Sequence, residues 1–81
     1  MKEKIIPLAH LREGQGGTVV YMTLQGAIRR RVRELGLLPE AQVTCLRIAP
    51  SGSPAAYLIC GAVVALRSRD AEQVMVLPWE E

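Results

Sequence analysis

Apolar residues along this chain follow two different periods, and the change between them marks a predicted helix. Residues 18–23 (TVVYMT) are mostly β-branched or aromatic, which is typical of a β-strand. The apolar residues that follow, Ile28, Val32 and Leu35, recur at i, i+4 and i+7, which is one stripe of an α-helix. Gly36 suits the left-handed position that closes a helix. The pattern therefore predicts a strand followed by one short helix.

The rest of the chain alternates short apolar runs with clear turn signals. Further strands are predicted at residues 42–49, 55–60, 62–67 and 74–77. The turn signals between them include PSGSP at residues 50–54 and the isolated Gly61. Residues 7–11 and 68–74 each have the composition of a single helical turn. Five short strands, with one helix inserted between the first two, predict a mostly β fold in the form of a small closed barrel.

Composition indicates how such a fold fills its core and charges its surface. The 81 residues suffice for one small domain spanning residues 1–81, but not for two separate cores. Phenylalanine is absent, so the core must be built mainly from aliphatic side chains. The formal net charge is only +2, and bulk charge alone therefore predicts no polyanionic partner. Half of the arginines nevertheless cluster on the predicted helix, at Arg29, Arg30, Arg31 and Arg33.

The chain lacks the sequence features that would place it in a membrane. Its longest apolar run, residues 55–66, has 12 residues, whereas a membrane-spanning helix needs about 20. The N-terminal segment MKEKIIPLAHLREG has no apolar core of a secretion signal. We expect a cytoplasmic protein without membrane insertion.

Two cysteines, Cys45 and Cys60, lie in apolar strand-like runs rather than in a CxxC motif. Cysteines in cytosolic proteins are usually reduced, and buried ones behave as small hydrophobic residues. Sequence alone leaves a disulfide open. The simpler interpretation, which we adopt, is that both thiols are reduced and buried.

No residues in the sequence have the spacing of a catalytic or metal site. His10 is the only histidine, and neither cysteine lies in a recognisable nucleophile motif. The glycine-rich GQGG precedes a strand, whereas a phosphate-binding loop should open a helix. Metal-ligand spacings such as CxxC and HExxH are absent. We therefore predict that the chain is not an enzyme and has no catalytic residues, no cofactor and no metal site.

Four segments in order, LREGQGGTVV, RRRVRELGLLPE, IAPSGSPAAYLICG and VALRSRDAEQVMV, resemble the ferrous iron transport protein A (FeoA) family. The resemblance covers residues 8–76. It implies an SH3-like barrel that serves as a small cytoplasmic accessory to the ferrous iron permease FeoB, a membrane protein with its own G-domain. The same barrel occurs as the last domain of metal-dependent repressors. Because no helix-turn-helix segment precedes it here, we expect a free-standing module.

The chain departs from the family pattern just after the predicted helix. Where the family usually has Pro-Gly, this chain has Pro39 and Glu40. A type II turn needs a positive φ at its second central residue, and glutamate resists that conformation. We therefore predict a type I turn at this position.

The predicted helix and the strand before it carry the candidate partner surface. Arg29, Arg30 and Arg33 point away from the apolar stripe, so a solvated helix face is one interpretation of them. The alternatives are contact with nucleic acid and the steering of protein docking. Residues beside the helix offer more apolar side chains than one face can hide. The predicted partner-binding residues are Tyr21, Met22, Leu24, Arg29, Arg30, Arg33 and Leu38.

Taken together, these features predict a regulatory module of ferrous iron uptake that acts through protein contact with FeoB. One alternative is a small nucleic-acid-binding barrel that uses the arginine-rich helix, although the low charge and the lack of aromatic stacking partners disfavour it. A second alternative is a metal-responsive regulatory domain. Self-association is left open.

Overall fold

The computed structural model describes residues 4–80, which form one antiparallel sheet and a nine-residue helix. The elements in chain order are β1 (Ile6–Pro7), a 3-10 turn (Leu8–His10), β2 (Gly16–Met22), α1 (Gly26–Glu34), β3 (Gln42–Ile48), β4 (Ala55–Ile59), β5 (Ala62–Leu66), α2 (Ser68–Ala71) and β6 (Val74–Pro78). Hydrogen bonding orders the strands β1-β6-β2-β3-β4-β5. The predicted mostly β fold with one inserted helix is confirmed.

The structure adds a sixth strand that the sequence did not predict. β1 has two residues and pairs with β6, with Ile6 opposite Val76 and Pro7 opposite Met75. A two-residue strand is too short to show a period, and a proline at its end lacks a backbone donor. Because of this strand, α1 lies between the second and third strands rather than between the first two.

Two bulges bend the sheet around its inner face. The register shifts at Val20 in β2 and at Leu46 in β3, and both residues are exposed. An extra residue on one strand bends that strand and increases the local twist. The bends allow a single sheet to enclose one core.

The core is built mainly from aliphatic side chains of β2 to β6, with Val32 contributed by α1 and Ala71 by α2. Four buried leucines outside these elements complete it: Leu8, Leu11, Leu24 and Leu37. Each fully buried Val, Leu or Ile side chain contributes about 1.5–3 kcal/mol relative to an exposed one. The largest core residue is Tyr57 in β4, which is 2% exposed. Burial, together with the neighbouring Cys45, raises the pKa of Tyr57 to about 12. Burial and then the Glu13 carboxylate raise the pKa of the Cys45 thiol.

The turn after α1 differs from the sequence-based prediction. We expected a type I turn, but Glu40 has a φ of 75°, the conformation that a type II turn requires at this position. The Ala41 N–H closes the turn by donating to the Leu38 carbonyl at 2.9 Å. Two further bonds fasten the turn to β2: the Glu40 N–H donates to the Val19 carbonyl at 2.7 Å, and the Val19 N–H donates to the Ala41 carbonyl at 2.9 Å. These tertiary bonds override the local preference of glutamate.

α1 closes at Gly36 as predicted, and the closing residue lies directly against Cys60, the residue after β4. Gly36 has a φ of 105°, and the Leu37 N–H donates to the Val32 carbonyl at 2.9 Å. A Cβ on Gly36 would lie 2.6 Å from the Cys60 sulfur and 2.9 Å from the Cys60 Cβ. The Cys60 thiol donates to the Gly36 carbonyl at 3.6 Å. Glycine is therefore required here both by the backbone angle and by the available space.

Cys60 and Gly61 form the two-residue loop that joins β4 to β5. Their φ values of 49° and 84° are both positive, as a type I′ hairpin turn requires. Cys60 is consequently an exposed turn residue, and the prediction that it is buried in a strand was wrong. The prediction for Cys45 is confirmed, since it is fully buried in β3.

Gly36→Ala should destabilise the fold by more than backbone strain alone, because the new methyl group meets Cys60. A left-handed φ costs a non-glycine residue roughly 1–2 kcal/mol, and the steric overlap adds to that cost. In a Cys60→Gly background, the same substitution should cost only the backbone part. A double-mutant cycle from urea unfolding measures the difference. Equal costs in the two backgrounds would show that the contact is unimportant.

Glu40→Gly should raise the free energy of unfolding by about 1 kcal/mol, because glycine adopts a positive φ without steric strain. Glu40→Ala is the matched control, since alanine removes the carboxylate but keeps the Cβ, and should change stability by less than about 0.5 kcal/mol. Urea unfolding of the three proteins provides the comparison. A less stable glycine variant would contradict the observed turn.

The two thiols should react at very different rates with a thiol reagent in the native state. Cys60 is exposed and should be labelled quickly, whereas Cys45 should be labelled only when the protein unfolds, because it is buried and its pKa is raised. Mass spectrometry of Cys45→Ala and Cys60→Ala variants assigns each rate. Equal native rates would contradict the different burial of the two residues.

Candidate protein-docking surface

α1 presents an arginine-rich face to solvent because its apolar stripe is turned towards the sheet. Val32 is 1% exposed, and Ile28 and Leu35 are half-buried against the core. A short connection follows β2, and the helix begins at Gly26, whose φ is 74°. Four side chains on the remaining face are exposed: Arg29, Arg30, Arg31 and Arg33.

A shallow cavity of about 480 Å³ lies along this exposed face. The helical residues that line it recur at intervals of three or four positions along the chain. This spacing places them on one face of α1. Leu38, which is 38% exposed, follows the helix and adds an apolar wall. The lining residues are Gly26, Arg29, Arg30, Arg33, Glu34 and Leu38.

The structure brings together four of the seven predicted partner-binding residues. These four line the cavity: Arg29, Arg30, Arg33 and Leu38. Tyr21 is 49% exposed at the end of β2 and Met22 is half-buried, but neither lines the cavity.

Leu24 was wrongly assigned to the partner surface, because it is 2% exposed and belongs to the core. It lies in the connection between β2 and α1, where the Thr23 N–H donates to the Gln73 carbonyl at 2.8 Å. That bond ties the connection to the segment before β6, so the chain turns inward at Leu24. Glu34 also lines the cavity and was not among the predicted residues, although its position four residues after Arg30 indicates the same helix face.

The cavity combines three guanidinium groups with one carboxylate and one leucine side chain. A guanidinium group stays charged and donates two parallel hydrogen bonds to a carboxylate or a phosphate. A polyanion that entered the cavity would also meet the Glu34 carboxylate, which repels phosphate. Glu34 thus interrupts the positive charge of the cavity, and Leu38 adds an apolar side chain beside it.

A second cavity, of about 360 Å³, lies on the outer face of the sheet. It is lined by Gln42, Thr44, Leu58, Cys60, Gly61 and Trp79. Trp79 packs over Gly16 so closely that a Cβ on that glycine would overlap the indole ring. The indole N–H donates to the Thr18 hydroxyl at 2.9 Å, and the Trp79 backbone N–H donates to the Gly16 carbonyl at 2.9 Å. These contacts fasten the residue after β6 onto β2.

Two structural findings bear on metal binding and membrane insertion. Within residues 4–80, no three side chains of His, Cys, Asp or Glu converge into a group that could hold a metal ion. In the same part of the chain, no helix is both long enough and apolar enough to cross a membrane.

The chain matches the FeoA domain family over residues 6–78, which includes the range of the resemblance noted from sequence. A relative from Porphyromonas gingivalis (strain ATCC BAA-308 / W83) is 30% identical over 69 residues and is described as an Fe(2+) transport protein A/Fe(2+) transporter FeoB fusion protein. The match covers 85% of this chain but only 8% of that relative. The chain thus spans a small fraction of the fusion protein's length.

Two solved structures share the fold and part of the sequence. The FeoA protein from Chlorobium tepidum is 32% identical, with a TM-score of 0.84 over 89% of this chain and 69% of that protein. FeoA from Stenotrophomonas maltophilia, solved in complex with zinc and described as a procaryotic SH3 domain protein, is 28% identical. Its TM-score is 0.77, with 88% of each chain covered.

These similarities identify the fold as SH3-like and associate the domain with ferrous iron transport. FeoA domains are non-catalytic accessory domains, which agrees with the prediction that the chain is not an enzyme. The match over residues 6–78, the identity to the Porphyromonas gingivalis relative and the fold of the solved relatives lead to one assignment: the chain belongs to the FeoA domain family.

Proposed function

We propose that this FeoA domain is a cytoplasmic docking module that regulates ferrous iron uptake by contacting the FeoB permease. The observation that carries this proposal is the relative in which a FeoA segment and FeoB form one polypeptide. Fusion raises the effective concentration of two modules to the order of millimolar, which is useful when the modules act on each other. A separate FeoA domain must reach the same surface by diffusion.

The cavity on α1 is the surface that we assign to this contact. Three exposed guanidinium groups attract an acidic partner surface, and such attraction mainly accelerates association and orients the partner. The range of the attraction is about 8 Å at physiological salt, so these groups act as the surfaces approach. Leu38 then supplies apolar contact in the docked complex. Tyr21 and Met22, just before α1, are the other predicted residues that remain available to extend it.

The two alternative functions have weaker support. Nucleic-acid binding would require a strongly basic surface with stacking partners, whereas the net charge is +2 and the cavity lining includes Glu34 but no aromatic residue. Direct metal response would require converging ligands, and residues 4–80 contain no such group of three. Protein docking requires only exposed guanidinium groups and an apolar side chain, and both line the cavity.

Replacing Arg29, Arg30 and Arg33 with Gln should abolish function without unfolding the domain. Exposed charges contribute little to stability, so the melting temperature should change by only a few degrees. Binding to the cytoplasmic part of FeoB should weaken by at least about tenfold, because three steering charges are lost. Ferrous iron uptake should not be restored in cells that lack the native protein.

The matched control replaces three exposed arginines elsewhere, Arg12, Arg47 and Arg69, with Gln. Both triple variants change the formal net charge from +2 to −1, so they separate surface position from bulk charge. The control should bind FeoB and support uptake as the parent does. Full activity of the α1 variant, or equal loss in both variants, would refute docking through this face. Salt-sensitive binding of the parent to DNA would favour the nucleic-acid alternative.

A further inference from the structure

The two edges of the sheet differ in how well they are protected against pairing with another strand. Natural proteins blunt sheet edges with very short strands, prolines, charges or bulges. The β1 edge has two residues and includes Pro7. The β5 edge, Ala62–Leu66, has five residues, contains neither proline nor charge and pairs with β4 without a register shift. Val63, one of its two outward-facing residues, is 66% exposed.

The hairpin geometry identifies which backbone groups of β5 are free to pair. The pair that closes a two-residue hairpin loop, here Ile59 and Ala62, is hydrogen-bonded, and such pairs alternate with non-hydrogen-bonded ones. Leu58–Val63 and Ala56–Ala65 are therefore non-hydrogen-bonded pairs. It follows that the N–H and C=O groups of Val63 and Ala65 point away from β4. Within residues 4–80, β5 has no second neighbouring strand.

We propose that β5 pairs antiparallel with β5 of a second copy of this chain, about a two-fold axis at Val64. In this register Val63 lies opposite Ala65 of the second copy, and the reverse pair is equivalent by symmetry. The two pairs form four backbone hydrogen bonds from the groups that point outward. The outer face then places the exposed Val63 side chain against Ala65 of the second copy.

The charge pattern is compatible with a second copy of β5, and charge and strand length together favour this register. No charged residue lies inside β5, and the nearest, Arg67, falls opposite Gly61 of the second copy. The two Arg67 residues are then about 20 Å apart, since each strand residue adds about 3.4 Å, and that exceeds the screening length of about 8 Å. A register shifted by two residues would place Val63 opposite Arg67 in one direction, and in the other it would place Ala65 opposite Gly61, a turn residue with a φ of 84°. The register centred on Val64 keeps both outward pairs apolar.

The predicted dimer is weak because the contact is small. One five-residue strand from each copy buries less surface than the roughly 1,200–2,000 Å² of a stable interface. We expect a dissociation constant between about 0.1 and 1 mM, so the dimer forms in concentrated solution or when another partner brings two copies together. The inference does not rest on the proposed contact with FeoB, because it uses none of the α1 arginines.

Amide hydrogen exchange and sedimentation of the whole chain test this pairing. The Val63 and Ala65 amides should exchange quickly in dilute protein and become protected at about millimolar concentration, while the Val64 amide, bonded to β4, stays protected throughout. Sedimentation should show the matching rise in mass. A chain that stays monomeric, or Val63 and Ala65 amides that remain unprotected in the dimer, would overturn the proposal.

Two variants and one control identify the edge. Ala65→Pro removes an outward N–H without breaking the β4 ladder, and should weaken dimerisation at least about tenfold because two of the four bonds are lost. Val63→Lys should do the same, since two lysines would lie about 7 Å apart across the axis. Leu46→Lys adds the same charge at an exposed leucine of β3 and should have no effect. Dimerisation that survives both edge variants, or is lost equally in the control, would refute the β5 pairing.

Discussion

The close contact between Gly36 and Cys60 determines where α1 lies relative to the sheet. A nine-residue helix is too short to be stable by itself in water, so it depends on packing. Val32 buries one side of the helix, and Gly36 brings its end against the hairpin turn between β4 and β5. Both contact residues have a positive φ, and Gly36 has no room for a side chain. The contact between Gly36 and Cys60 therefore helps to position the exposed arginines of α1.

The turn after the helix is attached to β2 by hydrogen bonds. Glu40 adopts a conformation that glutamate resists, and hydrogen bonds between this turn and Val19 provide the compensating free energy. Leu38, the apolar wall of the docking cavity, begins this turn and its carbonyl accepts the closing bond. The backbone that carries Leu38 is thus held at both ends, by the helix closure on one side and by β2 on the other.

Periodicity and turn chemistry predicted most of the fold correctly. The stripe of Ile28, Val32 and Leu35 identified α1, and the glycine after it identified the closure. The failures occur where tertiary contacts decide the outcome. β1 is too short to carry a pattern, and the conformation of Glu40 is set by β2 rather than by its own preference.

The candidate surface was only partly predictable for a related reason. Helical spacing placed Arg29, Arg30 and Arg33 on one exposed face, and the structure agrees. Whether an apolar residue in a connection is buried depends on where the connection runs, and this led to the error at Leu24. Cys60 was misjudged because the turn takes up two residues, whereas only Gly61 gives a turn signal in the sequence, so the predicted strand 55–60 extended one residue too far.

Trp79, the sole tryptophan of the chain, lies at the junction of the last strand and β2. Its ring covers Gly16, its N–H is bonded to Thr18, and its outer side borders the second cavity. Indole emission responds to local polarity and hydrogen bonding, so this residue is a built-in optical reporter. Its fluorescence should therefore follow the attachment of Trp79 to β2 without any added label, and the indole lines a different cavity from the one formed by the α1 arginines.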